Sequence, residues 1–191
     1  MISDHSVPPD HQPAEAAERA EPPRYTQARW TAAEIHALAQ RLDRFGREAL
    51  AAVSDQSLLA AWDRAIALLL DPASASRRRL DPALAVTCRL SPEALQAALE
   101  AMLEGMTGDP ARRLFERAAT LERRHRGLVT AVLPANVPAL AAQVLLPALA
   151  LRRPVLLKSS SREPLLGAAL VHLLGRTEPP LAEALAAVTW R

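Results

Sequence analysis

The last third of the chain alternates two kinds of apolar segment, and this alternation narrows the possible folds more than any other feature. "GLVTAVLP" (127–134) is a short run containing β-branched residues. "ALAAQVLLPALAL" (139–151) has the length and composition of a buried helix. "PVLLK" (154–158) reads as a strand, "PLLGAALVHLLGR" (164–176) as a second helix and "LAAVTW" (185–190) as a third strand. Strand, helix, strand, helix, strand at these lengths implies a parallel sheet with right-handed crossovers. The segments are apolar nearly throughout, as expected when helices cover both faces of the sheet. The expected class is α/β: an N-terminal helical region followed by an incomplete Rossmann-like parallel sheet. Three parallel strands leave two open edges. The chain is therefore expected to be the N-terminal part of something longer. The edge at "AAVTW" is expected to suit pairing with another chain, either a second copy in a homo-oligomer or a partner.

Three regions follow along the chain. Residues 1–27 are polar and proline-rich and read as a disordered tail. Residues 28–126 read as helical, and residues 127–191 as a partial nucleotide-binding βαβαβ unit. In the helical region Thr31 can cap a helix over 32–53, with Ile35, Leu38, Leu42 and Phe45 at helical spacing. A second helix is expected over 56–70, and "DPASASRRRLDPAL" (71–84) reads as a loop. "SPEALQAALEAMLEGM" is a strong helix start, with Ser91 as cap, Pro92 first and Glu93 at the positive dipole end. Asp109 and Pro110 begin another helix, expected to run through residue 124.

Composition sets the function classes. The chain has 191 residues and is half hydrophobic, so a single globular domain with a sizeable core is expected. Aromatics make up only 3%, so Leu, Ala and Val must fill that core. Net charge is +2, and the short basic clusters at Arg77, Arg78 and Arg79 and at Arg123, Arg124 and Arg126 read as solvated faces or loops. No aromatics interleave with them to stack bases, so no nucleic acid partner is expected. One cysteine, Cys88, excludes an internal disulfide and fits a reducing cytoplasm. No secretory pattern opens the chain. The longest apolar run, residues 137–151, is shorter than a membrane span needs. The five histidines have no metal-ligand spacing, so no metal is expected.

Ligands of open α/β sheets bind beyond the carboxyl ends of the strands. The segments there are "PANVP" and "KSSSREP". They place Asn136, bracketed by Pro134 and Pro138, on the same rim as Lys158, about one strand spacing away. An Asn between prolines is a common turn former, and a Lys-Ser-Ser-Ser run is commonly a solvated loop. Yet the Asn136 amide can donate to a developing oxyanion. Lys158, the only lysine among 23 basic residues, can bind a ribose hydroxyl or a phosphate. Ser159, Ser160 and Ser161 supply small donors ahead of a helix N-terminus, which favours anions.

"VLPANVPALAAQVLLPALALRRPVLLKSSSREPL" resembles the first cofactor-binding βαβ unit of the aldehyde dehydrogenase superfamily. The shared frame is a Pro-x-Asn-x-Pro turn, a helix, then a strand ending in Lys, small residues and Pro. "NVP", "SPEALQAALEAML" and "EPPLAEALAAVTW" bring it nearest to acyl-CoA reductases of the bacterial luminescence type, which make fatty aldehydes. The similarity covers roughly residues 85–191.

The resemblance implies a sheet of the aldehyde dehydrogenase type. It implies that Asn136 helps form the oxyanion hole and that Lys158 contacts the adenosine ribose or its 2′-phosphate. Pro134, Ser160, Ser161 and Arg162 fall in the same cofactor-binding segments. Ser161 stands where NAD-preferring relatives often carry a glutamate, which favours NADPH; Arg162 beside it can help to neutralise a phosphate. The implied reaction is NADPH-dependent reduction of an acyl-CoA to an aldehyde through an acyl-cysteine. The family's nucleophilic cysteine has no counterpart here, since Cys88 precedes the sheet with no His nearby in sequence. There is also no G-x-G-x-x-G turn. The chain alone is expected to be inactive. Two alternatives stay open: another superfamily member, such as a glutamyl-phosphate reductase or an aldehyde dehydrogenase, and a non-catalytic truncated fragment.

Overall fold

The computed structural model describes residues 30–121, 127–135, 137 and 139–190. The expected tail, residues 1–27, lies outside the described residues.

The first expected helix forms in three pieces: α1 (Ala32–Arg41), a π-turn (Leu42–Gly46) and α2 (Arg47–Ala52). Thr31 closes a capping box: its side chain accepts from Glu34 N, and the Glu34 carboxylate accepts from Thr31 N. The π-turn lets Gly46 approach the sheet. A Cβ there would lie 2.8 Å from Pro154 Cβ and 2.9 Å from Ala184 Cα, so only glycine fits. Then comes α3 (Asp55–Leu70), capped by Ser54 and burying Trp62, Ile66 and Leu69.

The expected loop over 71–84 is instead largely helix α4 (Ala75–Cys88). Ser74 caps it by accepting from Arg77 N. Leu80, Ala83 and Leu84 are buried at helical spacing. Pro82 is tolerated because it and Arg78, whose carbonyl loses its usual donor, both face solvent. Arg77 departs from its expected solvated role as well. It is 2% exposed, and its guanidinium donates to Leu69 O, Gln96 Oε1 and Asp81 Oδ1.

Helix α5 (Pro92–Leu103) starts as expected, with the Ser91 side chain accepting from Ala94 N. Helix α6 (Asp109–Ala119) differs from expectation at both ends. Gly108, at φ 59°, takes the cap position with no side-chain bond and anchors its N–H on Asp63. The helix stops at Ala119, where Thr120 Oγ1 donates back to Arg117 O.

The sheet follows the expected alternation: β1 (Val129–Val132), α7 (Leu140–Ala150), β2 (Val155–Ser159), α8 (Leu165–Thr177), a short α9 (Leu181–Ala184) and β3 (Leu185–Thr189). All pairings are parallel in the order β1-β2-β3, with Val132 opposite Lys158 and Lys158 opposite Val188. Val155, Leu157 and Leu185 join the main core, which runs continuously from α2 through α7 and α8. Leu156, Ala186 and Val188 face the other way, against Leu38 and Leu42. Helices therefore cover both faces, and the fold is α/β. Arg152, in the turn before β2, donates to Leu50 O and Val53 O and pairs with Asp55, tying that turn to the α2–α3 junction. Among the described residues no helix is long and apolar enough to cross a membrane.

Candidate functional site

The carboxyl ends of β1 and β2 lie side by side. Leu133 N donates to Lys158 O at 2.9 Å, carrying the ladder one step beyond β1. Pro134 follows, exposed, where its missing N–H costs no ladder bond. Asn136 and Pro138 lie outside the described residues; in chain order Asn136 falls between β1 and α7. Ala139 stands at the start of α7 in the left-handed region, φ 57°, a strained conformation for a residue with a Cβ.

Lys158 is half-buried on the sheet face that α1 covers. Its Nζ lies 5.4 Å from the centroid of the Trp190 ring. Ser159 takes the opposite face. It is 1% exposed, and its Oγ has no hydrogen-bond partner among the described residues. Gly167 on α8 makes room for it, since a Cβ there would sit 3.0 Å from that oxygen. Ser160 Oγ accepts from Arg162 N at 3.1 Å and shapes the turn. Ser161 is half-buried, and the Arg162 side chain is exposed.

The helix N-terminus behind this turn differs from the sequence expectation. The Glu163 carboxylate accepts from Leu165 N at 2.8 Å and from Leu166 N at 2.9 Å, so these first-turn donors of α8 are already engaged. Burial raises the Glu163 pKa above its ordinary value, against those two bonds. A free anion-binding terminus is therefore not what the turn offers; its cationic groups are Lys158 and Arg162.

Cys88 ends α4, half-buried. Burial, then the neighbouring Glu163 charge, push its thiol up to about 11, although a Thr87 hydrogen bond opposes them. Such a thiol holds almost no thiolate near neutral pH and is a poor nucleophile. A groove of about 640 Å³ lies elsewhere, between α5, α6 and α7. Met102, Met106, Leu114, Arg113, Arg117 and Gln143 line it, and no rim residue does.

Two residues of the site escaped the sequence reading. Trp190 had only a partial signal, a strand's period of two, which returns residue 190 to the lysine's face once the register sets Lys158 opposite Val188. Glu163 had one too, since Glu163-Pro164 repeats the polar-residue-then-proline pattern that marked Ser91-Pro92 and Asp109-Pro110 as helix starts.

The rim residues present fit a phosphorylated nucleotide in charge and position: a lysine without a carboxylate partner among the described ion pairs, a small-residue turn and an exposed arginine. The family model for acyl-CoA reductase (LuxC) matches residues 51–191, and the chain belongs to that family. No curated protein and no solved structure matches it.

Proposed function

We propose that this acyl-CoA reductase family member carries the NADPH-binding rim and the oxyanion amide for reduction of a fatty acyl-CoA to an aldehyde. The observation that carries the reading is the position of Lys158: last but one in β2, in register with the ends of β1 and β3, at the edge where open α/β sheets bind ligands. Its ammonium holds the adenosine ribose or the 2′-phosphate. Ser161 leaves space beside that phosphate without adding negative charge, and Arg162 supplies a second cation from the exposed side of the turn. Ser160 fixes the turn through the Arg162 N–H, and Pro134 stiffens the exit from β1.

The chemistry runs in two steps, an acyl transfer to the enzyme and then a reduction. A cysteine thiolate attacks the thioester carbonyl and coenzyme A leaves as the thiol, giving an acyl-cysteine. Bound NADPH supplies the hydride that turns this acyl group into an aldehyde, and the cysteine thiol is restored. Asn136 donates its amide N–H to the oxygen that becomes negative in each tetrahedral species, a contribution on the order of 3 kcal/mol. Cys88 is not the nucleophile, because burial and Glu163 keep it protonated; the acyl-accepting thiol is a residue that this chain does not carry. The single cysteine and the absence of a membrane-length helix among the described residues support a cytoplasmic enzyme.

Nucleotide choice tests the reading. Ser161→Glu places a carboxylate where the 2′-phosphate sits. The ratio of NADPH to NADH affinity, measured by calorimetry, is expected to fall by about tenfold or more, equivalent to about 1.4 kcal/mol. An unchanged ratio would remove Ser161 from the cofactor site and the basis for NADPH over NADH.

A further inference from the structure

Lys158 and Trp190 meet because of the sheet's period of two. Lys158 shares a face with Leu156, Ala186 and Val188, and it lies opposite Val188. Trp190, two residues past Val188, returns to that face and packs beside the same small cluster. The resulting contact places Nζ 5.4 Å from the ring centroid.

An indole face attracts an ammonium through its quadrupole but presents no lone pair. A carboxylate at this place would cancel the lysine charge and consume its donors. The ion pairs among the described residues belong instead to Arg47, Arg77, Arg112 and Arg152. Lysine's long stem carries much rotamer freedom, which a ligand must otherwise freeze on binding. Trp190 removes part of that freedom in advance and leaves the three N–H donors for an incoming oxygen.

We propose that Trp190 is a positioning residue for Lys158, holding its ammonium at the carboxyl rim and so strengthening NADPH binding. The proposal rests on the reading of Lys158 as a cofactor contact.

Lys158 is the only lysine in the chain, so protein made with ε-¹³C-lysine gives a single lysine side-chain signal. The Trp190 ring current is expected to move its ε-methylene protons upfield. Trp190→Ala abolishes the displacement, and Trp190→Phe keeps part of it. Calorimetry with NADPH is expected to show about 2- to 5-fold weaker binding in Trp190→Ala, with most of it regained in Trp190→Phe. In a Lys158→Ala background the Trp190→Ala change is expected to cost nothing further. An undisplaced lysine signal would overturn the proposal. So would an equal loss in the Lys158→Ala background, which would mean that the indole meets the nucleotide directly. A displaced signal with NADPH binding that is absent, or unaffected by Lys158→Ala, would sink the cofactor reading of Lys158, and the proposal with it. The Phe variant keeps the test decisive if the Ala variant does not fold.

Discussion

Arg77 sits inside the helical layer with its guanidinium divided among a backbone carbonyl, an amide and a carboxylate. The carbonyl belongs to Leu69, near the end of α3, so the arginine completes a helix terminus while joining it to α5 through Gln96. Removing it takes a donor from the buried Leu69 carbonyl and from the part-buried Gln96 and Asp81 oxygens, which costs more than the bonds are worth net. Arg77→Ala is expected to lower unfolding free energy by about 3 kcal/mol in urea titrations. Arg77→Lys should recover only part of this, because an ammonium cannot span all three partners. A loss in Arg77→Ala within the scatter of ordinary surface variants would show that the network contributes little.

At the scale of elements, the start of α8 carries the clearest pH signature. Glu163 caps it from a buried position, and burial holds its pKa above the ordinary 4.5. A carboxyl raised in this way contributes stability fully below its unfolded-state pKa, and that contribution is lost as pH rises through the folded value. Glu163→Gln keeps an acceptor for Leu165 and Leu166 but does not titrate. Wild type should therefore lose stability relative to the variant as pH climbs from 4.5, measured by urea unfolding across that range. The same variant removes the charge that is the second cause of the high Cys88 pKa. Alkylation of the thiol should accelerate at lower pH than in wild type, though burial still keeps it slow. Parallel stability curves and unchanged alkylation would mean that Glu163 is already neutral or solvated.

The elements also show what the sequence made legible. Strong period signals carried through: the Thr31 and Ser91 caps and every segment of the β-α-β-α-β run appear where expected. Residues 71–84 misled because two prolines and a basic cluster look like punctuation. Burial of Leu80, Ala83 and Leu84 overrode that local chemistry, and solvent relieved the Pro82 defect. The candidate site was half legible. Lys158 stood out by type and position. Trp190 required the strand register, and Glu163 required seeing which donors a carboxylate reaches, and both are three-dimensional facts.

For the whole molecule, one core joins the helical layer to the sheet, and the sheet's carboxyl rim gathers the groups that can meet a nucleotide. Family membership supplies acyl-CoA reductase chemistry, and the proposal assigns its cofactor to the edge of the fold that carries Lys158. The most direct measurement is a calorimetric titration of NADPH into wild type and into Lys158→Ala. Saturable binding that weakens by about tenfold or more in the variant, as expected for a lost charge-assisted hydrogen bond, is the predicted result. Equal binding by the two proteins, or none by wild type, would contradict the assignment of this rim to the cofactor.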